Sequence, residues 1–137
     1  MAYQRRILSD STPTSLGSAA TVLTGGYSSD HIDIWNFDEV DFFIEITNKS
    51  SATEVSFTVE YAHSTPSSAD DWTYLHTESI VSGSATQNIY SPTFNLTDYT
   101  GTFILSFNVP TRGRYMRINI VPDSQISGVT FSAMRRV

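Results

Sequence analysis

Cysteine is absent from the 137-residue sequence, which excludes a disulfide framework and any chemistry based on a thiolate. Packing must therefore stabilise the fold, with help from oligomerisation. Apolar runs of about 18 residues, the length that a membrane-spanning helix needs, are absent too. Residues 1–8 lack the long apolar region of a secretory signal. We therefore expect a soluble protein that is made in a cytoplasm and has no membrane partner.

Charged residues are also scarce, at 16% of the chain against a typical value of about 25%. The formal net charge of −6 argues against a nucleic-acid partner, because such binding needs basic surface to displace counterions from phosphates. Residues 30–60 hold eight acids and one base, whereas residues 112–137 hold five arginines and one acid. Acidic and basic strands could lie side by side in one sheet, which is the preferred interpretation, or opposite faces of neighbouring subunits could meet.

The dominant pattern that the sequence does contain is an alternation of apolar and polar residues with a period of two. Such a strand buries one face in a core and presents the other to solvent or to a second layer. The clearest strands are predicted at residues 40–47, 55–62, 103–109 and 116–120. Weaker strands are predicted at residues 20–23, 31–35, 72–77, 87–90 and 129–134.

No segment shows a sustained helical period, so the pattern predicts an all-β fold: a two-sheet antiparallel β-sandwich, or jelly roll, of about eight or nine strands. We expect a single domain over residues 1–137. Residues 1–18 are predicted to form an extended N-terminal arm or a surface loop, because residues 9–18 are rich in Ser and Thr and poor in apolar side chains. The short stretch 111–113, which follows Pro110, predicts a tight connection between two adjacent antiparallel strands.

Motifs for catalysis are missing. No Gly-x-Ser-x-Gly elbow occurs, and His31, His63 and His76 stand apart in the sequence, without the spacing of a zinc site. Acids at positions 33, 41 and 45 are interpreted as a solvated face rather than a paired-carboxylate site. Loop aspartates at 70, 71 and 98 could bind calcium or cap turns, and capping is preferred. The sequence therefore predicts no enzyme, no cofactor and no metal.

Aromatic residues indicate a binding surface. Phe43 falls on the polar side of its strand, the side of Asp41 and Glu45, so its ring needs a cover from a loop, a subunit or a ligand. Carbohydrate-binding modules use exposed rings, and the candidates for such a role are Trp35, Phe37, Trp72 and Tyr74.

Residues 59–64, 71–75, 107–110 and 113–120 occur in the order and style of discoidin-like jelly rolls, which they resemble. Arg114-Tyr115-Met116-Arg117 is the most specific element, and the resemblance covers about residues 30–122. Discoidin domains bind sugars or lipid head groups through apolar loop spikes, which this sequence does not clearly show. Small proteins with this pattern and no cysteine resemble virion components of tailed phages, above all capsid cement (decoration) proteins.

The resemblance and the pattern together predict a virion structural protein, assembled in the host cytoplasm, that forms a dimer or trimer, binds the major capsid protein and stabilises the shell. The alternative is a carbohydrate-binding or adhesion module of a phage tail or fibre. Arg117 is expected to pair with Asp41, Glu45 or Glu60. The candidate interface residues, rich in the Arg and aromatic types that interfaces favour, are Tyr3, Arg5, Arg6, Trp35, Phe37, Phe43, Arg112, Arg114, Arg117, Arg135 and Arg136.

Overall fold

The computed structural model describes residues 8–19, 21–81 and 83–137. Its regular structure consists of twelve strands and one 3-10 helix at Ala69–Asp71. The strands are β1 (Thr14–Ser18), β2 (Tyr27–Ser28), β3 (Ile32–Asp33), β4 (Glu39–Asn48), β5 (Glu54–Ala62), β6 (Thr73–Tyr74), β7 (His76–Val81), β8 (Ser84–Ile89), β9 (Thr93–Asn95), β10 (Phe103–Pro110), β11 (Tyr115–Pro122) and β12 (Ser127–Arg136). Across the described ranges, no helix has the length and apolar character that crossing a bilayer requires.

Two antiparallel sheets form the body of the protein. The first sheet has the order β1-β12-β4-β10, and the second has the order β2-β11-β5-β6, with β3 beside β11 and β9 beside β5. The predicted all-β, two-sheet antiparallel fold is confirmed. The strand number is higher than the eight or nine predicted, because several strands are only two or three residues long and so show no readable alternation.

The core lies between the two sheets and consists of the apolar residues at every second position. Phe42 and Phe131 enter it from the first sheet, Phe57 and Ile118 from the second, and all four are fully buried. The ring centroid of Phe107, on β10, lies 5.7 Å from that of Phe42 and 5.4 Å from that of Phe57. Each such side chain contributes about 1.5–3 kcal/mol by leaving water, so this layer holds the two sheets together.

The connection between β10 and β11 corrects one prediction. The two strands do not pair: β10 pairs with β4 in the first sheet, and β11 pairs with β5 in the second. The chain at 111–113 therefore crosses from one sheet to the other. Gly113 makes this crossing feasible, because it has a φ of 65° and a Cβ there would lie 2.7 Å from the carbonyl oxygen of Ala62.

The described part of the predicted N-terminal arm is tied to the first sheet. Residues 14–18 form β1 and pair with β12, and the backbone N–H of Asp10 donates to the carbonyl of Arg135 at 2.8 Å. The predicted strand at residues 20–23 is wrong in its described part, where only an isolated bridge joins Leu23 to Ile126. Residues 1–7 lie outside the described residues.

Candidate functional site

The predicted interface residues do not form one patch. Tyr3, Arg5 and Arg6 lie outside the described residues. The strand register places Phe43 and Arg136 on the outer face of the first sheet, and Arg117 on the outer face of the second. The remaining members are distributed as follows: Trp35 and Arg114 beside the second sheet, Phe37 and Arg135 near the N-terminal segment, and Arg112 exposed in the crossing between sheets.

Arg135 is engaged within the fold. Its Nε and Nη2 donate to the two carboxylate oxygens of Asp10 at 2.9 and 3.1 Å, and its Nη1 donates to the carbonyl of Asp33 at 2.9 Å. Its guanidinium carbon lies 4.6 Å from the ring centroid of Phe37. These hydrogen bonds from Arg135 hold the pKa of Asp10 below its usual value, although burial acts against them. Arg135 therefore joins the N-terminal segment to the sandwich, and Phe37 packs against its guanidinium group.

The outer face of the first sheet carries Phe43 at its centre. The cross-strand neighbours of Phe43 are Ser106 on β10 and Ser132 on β12, which are small. The ring is half-buried and is not among the residues that pack on the core. On the same face Asp41 accepts from Arg136 and Asn108. Desolvation raises the pKa of Asp41, but the hydrogen bonds from Asn108 and Arg136 outweigh it and lower that pKa.

A polar network crosses the outer face of the second sheet. The Ser28 hydroxyl donates to Asn119 Oδ1, Asn119 Nδ2 donates to Glu60, and Arg117 Nη2 donates to Glu60 at 3.3 Å. Asn119 Nδ2 also lies 3.2 Å from the hydroxyl of Thr58. Glu60 is only 7% exposed, and its cationic and amide partners offset the desolvation cost of burying the carboxylate.

The predicted pairing of Arg117 is thus confirmed for Glu60. The two other candidates, Asp41 and Glu45, lie on β4 of the first sheet, where Asp41 pairs with Arg136 from β12. Acidic strands β4 and β5 therefore lie next to basic strands β12 and β11, as the preferred interpretation of the uneven charge expected.

Aromatic rings and guanidinium groups follow one another along the same outer face. The Arg117 guanidinium carbon lies 4.3 Å from the Trp72 ring centroid, and the ring of His31 lies between Trp72 at 6.0 Å and Tyr115 at 5.3 Å. Further along, Arg114 lies 5.5 Å from the Tyr115 ring and 5.7 Å from that of Trp35. We call this set the aromatic row; its members are Trp35, Arg114, Tyr115, His31, Trp72 and Arg117.

A shallow depression of about 500 Å³, which we call the second-sheet groove, lies over the polar network. It is lined by Gly26, Tyr27, Ser28, Thr58, Glu60, Trp72, Tyr74, Arg117, Asn119 and Val121. Tyr74 is 44% exposed at its edge. Of the four rings predicted as sugar-binding candidates, the structure thus brings together Trp72 and Tyr74, while Trp35 lies at the far end of the aromatic row and Phe37 lies against Arg135.

Strands β7 and β8 form a hairpin that belongs to neither large sheet. Its base is fixed where the N–H of Leu75 donates to Val59 at 2.7 Å and the N–H of Tyr90 donates to Leu75 at 2.8 Å. Beyond this base, every side chain of β8, from Ser84 to Ile89, is exposed. Neither face of β8 is therefore covered by the residues that the structure describes.

Of the three loop aspartates, Asp71 behaves as a turn cap. The Asp71 carboxylate accepts from the backbone N–H groups of Ser67 and Ser68 at 2.7 and 2.9 Å, and the hydrogen bond from Ser67 is the main reason that the pKa of Asp71 is lowered. In the part of the chain that the structure describes, no three His, Asp or Glu side chains converge as metal ligands would. The surfaces above are suited to binding through stacking and hydrogen bonding.

Sequence reasoning missed Ser28, Thr58 and Asn119 as members of one site. Each occupies a polar position in an alternating or very short strand, and such positions look the same whether they are solvated or grouped. Only the register of β2, β11 and β5 brings them together.

No protein-family model, no curated protein and no solved structure matches the chain.

Proposed function

We propose that the chain is a virion structural protein, a capsid cement or decoration protein that forms a homo-oligomer, binds the major capsid protein and stabilises the shell. The observation that carries the proposal is the β7–β8 hairpin, which leaves the sandwich with the side chains of β8 exposed on both faces. The capsid as the partner is supported by the likeness of this small, cysteine-free chain with its discoidin-like pattern to virion components of tailed phages.

The hairpin needs a cover that the described part of its own chain does not supply. Two strands alone are marginally stable in water, and within the described residues β7 and β8 pair only with each other. Their outer edges therefore carry free backbone N–H and C=O groups, which can pair with a strand of another subunit. A closed dimer or trimer covers every hairpin in the same way.

The outer face of the first sheet supports a second contact, with the shell. Phe43 lies between Ser106 and Ser132, so the side chains on both sides of the ring are small. Ile104, on the same face, is 58% exposed. An apolar centre with hydroxyl groups around it resembles the composition of a protein interface, which has an apolar core and a polar rim.

Light scattering coupled to size-exclusion chromatography tests the oligomer. We expect the unmodified chain to run as a dimer or trimer, and the double variant Ala85→Lys, Ile89→Lys to run as a monomer, because two like charges on one face of the hairpin oppose its burial. The matched control is Thr21→Lys, Val22→Lys, which adds the same charge at exposed positions away from the hairpin and should keep the oligomer. A strict monomer at all concentrations would contradict the homo-oligomer.

Co-sedimentation tests the shell contact. Capsids assembled from the major capsid protein whose gene lies nearest to that of this chain are mixed with the purified protein and pelleted. We expect saturable binding and a higher temperature of capsid disruption, and Phe43→Asp should weaken both. Absence of binding to capsids, in a protein that is also absent from virions by mass spectrometry, would refute the proposal.

A further inference from the structure

We infer that the second-sheet groove is a binding site for a neutral saccharide. This inference does not rest on the proposed virion role, since the residues that line the groove are not those of the β7–β8 hairpin and do not include Phe43. It follows from the charge, the fixed polar floor, the aromatic wall and the extent of the groove.

The lining of the groove has no net charge. Glu60 and Arg117 are its only formally charged members, and they pair at 3.3 Å. A site for a phosphate, a sulfate or an acidic sugar needs an excess of positive charge, which this lining lacks. The ligand that such a surface recognises is polar and uncharged.

The floor of the groove is held in place before any ligand arrives. Asn119 and Glu60 are fixed by bonds from Ser28 and Arg117, so little side-chain entropy is lost on binding. Hydrogen-bonding capacity is left over at the two Nη groups of Arg117, which carry four of the five guanidinium N–H donors. Among the described residues they make one bond, from Nη2 to Glu60, whereas the fifth donor, at Nε, is buried. Donors and acceptors that are close together and fixed suit the neighbouring hydroxyl groups of a sugar.

The wall of the groove is aromatic. Trp72 covers Arg117, and Tyr74, 44% exposed, lies across from Glu60 on β6. A pyranose ring has a face made of C–H groups and a rim made of hydroxyls, so it can pack its face on a ring while its rim meets a polar floor. Sites for small ligands combine apolar lining and a few oriented polar groups in the same way.

The surface continues beyond one sugar unit. On the other side of Trp72 lies a second depression of about 300 Å³, lined by His31, Pro66, Ser67, Ser68, Trp72 and Arg117. Trp72 and Arg117 thus line both depressions. A chain of two or more sugar units can lie across Trp72, so we expect an oligosaccharide to bind more tightly than a monosaccharide.

An array of neutral and acidic oligosaccharides, followed by calorimetric titration of the neutral ones bound, tests the site. We expect binding to neutral oligosaccharides, weakened about tenfold by Tyr74→Ala through loss of ring contact and more by Trp72→Ala, which also releases Arg117. Tyr99→Ala is the matched control, since Tyr99 is also exposed but lies outside the groove lining, and it should bind as the unmodified chain does.

Three results with saccharides would overturn the inference: no neutral saccharide bound by a folded protein, binding limited to acidic saccharides, or neutral binding that survives both Tyr74→Ala and Trp72→Ala. A fourth result would be that the major capsid protein shields the Trp72 side chain from solvent while no saccharide binds. That result would assign this face to a protein partner and would overturn the saccharide inference. The oligomer and capsid experiments change other residues, namely Ala85, Ile89 and Phe43. Failure of the saccharide inference can therefore be distinguished from failure of the proposed virion function.

Discussion

The substitution Asp10→Asn tests whether the ion pair between Asp10 and Arg135 holds the N-terminal segment on the sandwich. The carboxylate accepts from the backbone N–H of Arg135 at 2.8 Å and from its Nε at 2.9 Å and Nη2 at 3.1 Å. Asparagine keeps a single acceptor oxygen and no charge, so it leaves at least part of the Arg135 fork without a partner.

The expected loss lies between that of a surface pair and that of a buried one. The exposed fractions are 15% for the Asp10 side chain and 25% for that of Arg135. Breaking a buried ion pair costs about 3–5 kcal/mol and losing an exposed one costs roughly 0–1 kcal/mol. We therefore expect Asp10→Asn to lower the free energy of unfolding by about 2 kcal/mol, which corresponds to roughly 6–8 °C in Tm for a chain of this size.

The loss should depend on pH with a definite sign. The pKa of Asp10 is lowered in the folded protein, mainly by the side-chain hydrogen bond from Arg135. The ionised form is therefore favoured on folding, and its contribution is complete above the ordinary carboxyl pKa and disappears as the pH falls through the lower folded value. The stability difference between the two proteins should be constant from about pH 6 to pH 8 and should shrink below about pH 4.

Urea denaturation followed by far-UV circular dichroism, repeated across this pH range, measures the difference. Asp98→Asn is the matched control, because Asp98 is an exposed loop carboxylate, and it should change stability little. The reasoning would be refuted by a loss below about 0.5 kcal/mol at pH 7, or by a loss of the same size at pH 3.

Two further predictions compare buried with open positions. Phe131→Ala should lower the free energy of unfolding by about 3–5 kcal/mol, because Phe131 is fully buried. Ile104→Ala, at an exposed site, should lower it by less than about 1 kcal/mol. Equal losses in urea denaturation would contradict the faces assigned to these residues in the first sheet. Gly113→Ala and Gly101→Ala both place a Cβ at positive φ, which costs about 1–2 kcal/mol. Only in Gly113→Ala does the new Cβ meet the carbonyl of Ala62. Gly113→Ala should therefore lower the free energy of unfolding, measured by urea denaturation, more than Gly101→Ala does. The reverse order would contradict the described crossing.

Much of the fold was predictable because each long strand carries its own signal. In β4, Val40, Phe42, Ile44 and Ile46 are all fully buried and the residues between them are not, as the alternation predicted. In contrast, β1 buries a single apolar residue, Leu16, and its strand conformation comes from pairing with β12. Strands of two residues have too few positions for a period, and only their partners define them.

Pairing between strands was the least predictable property. Alternation assigns a side chain to a face, but it does not say which strand lies beside it. The sequence placed Arg117 on the polar face of its strand and left three acidic residues as possible partners. Only the register of β11 and β5 selects Glu60. For the same reason the turn signal at 111–113 was read as a connection between adjacent strands, although burial of β10 and β11 on opposite sides of one core requires a crossing.

The position of β12 in the first sheet has a consequence for biosynthesis. This strand follows all the others along the chain, yet it lies between β1 and β4, so the longest ladder of the sheet joins segments far apart in sequence. Contacts of such high sequence separation form slowly. Until β12 emerges from the ribosome, β4 can pair only with β10, and Phe42 and Ile44 have no complete core. The nascent chain therefore exposes one open edge of an apolar strand, which chaperones or self-association would engage first.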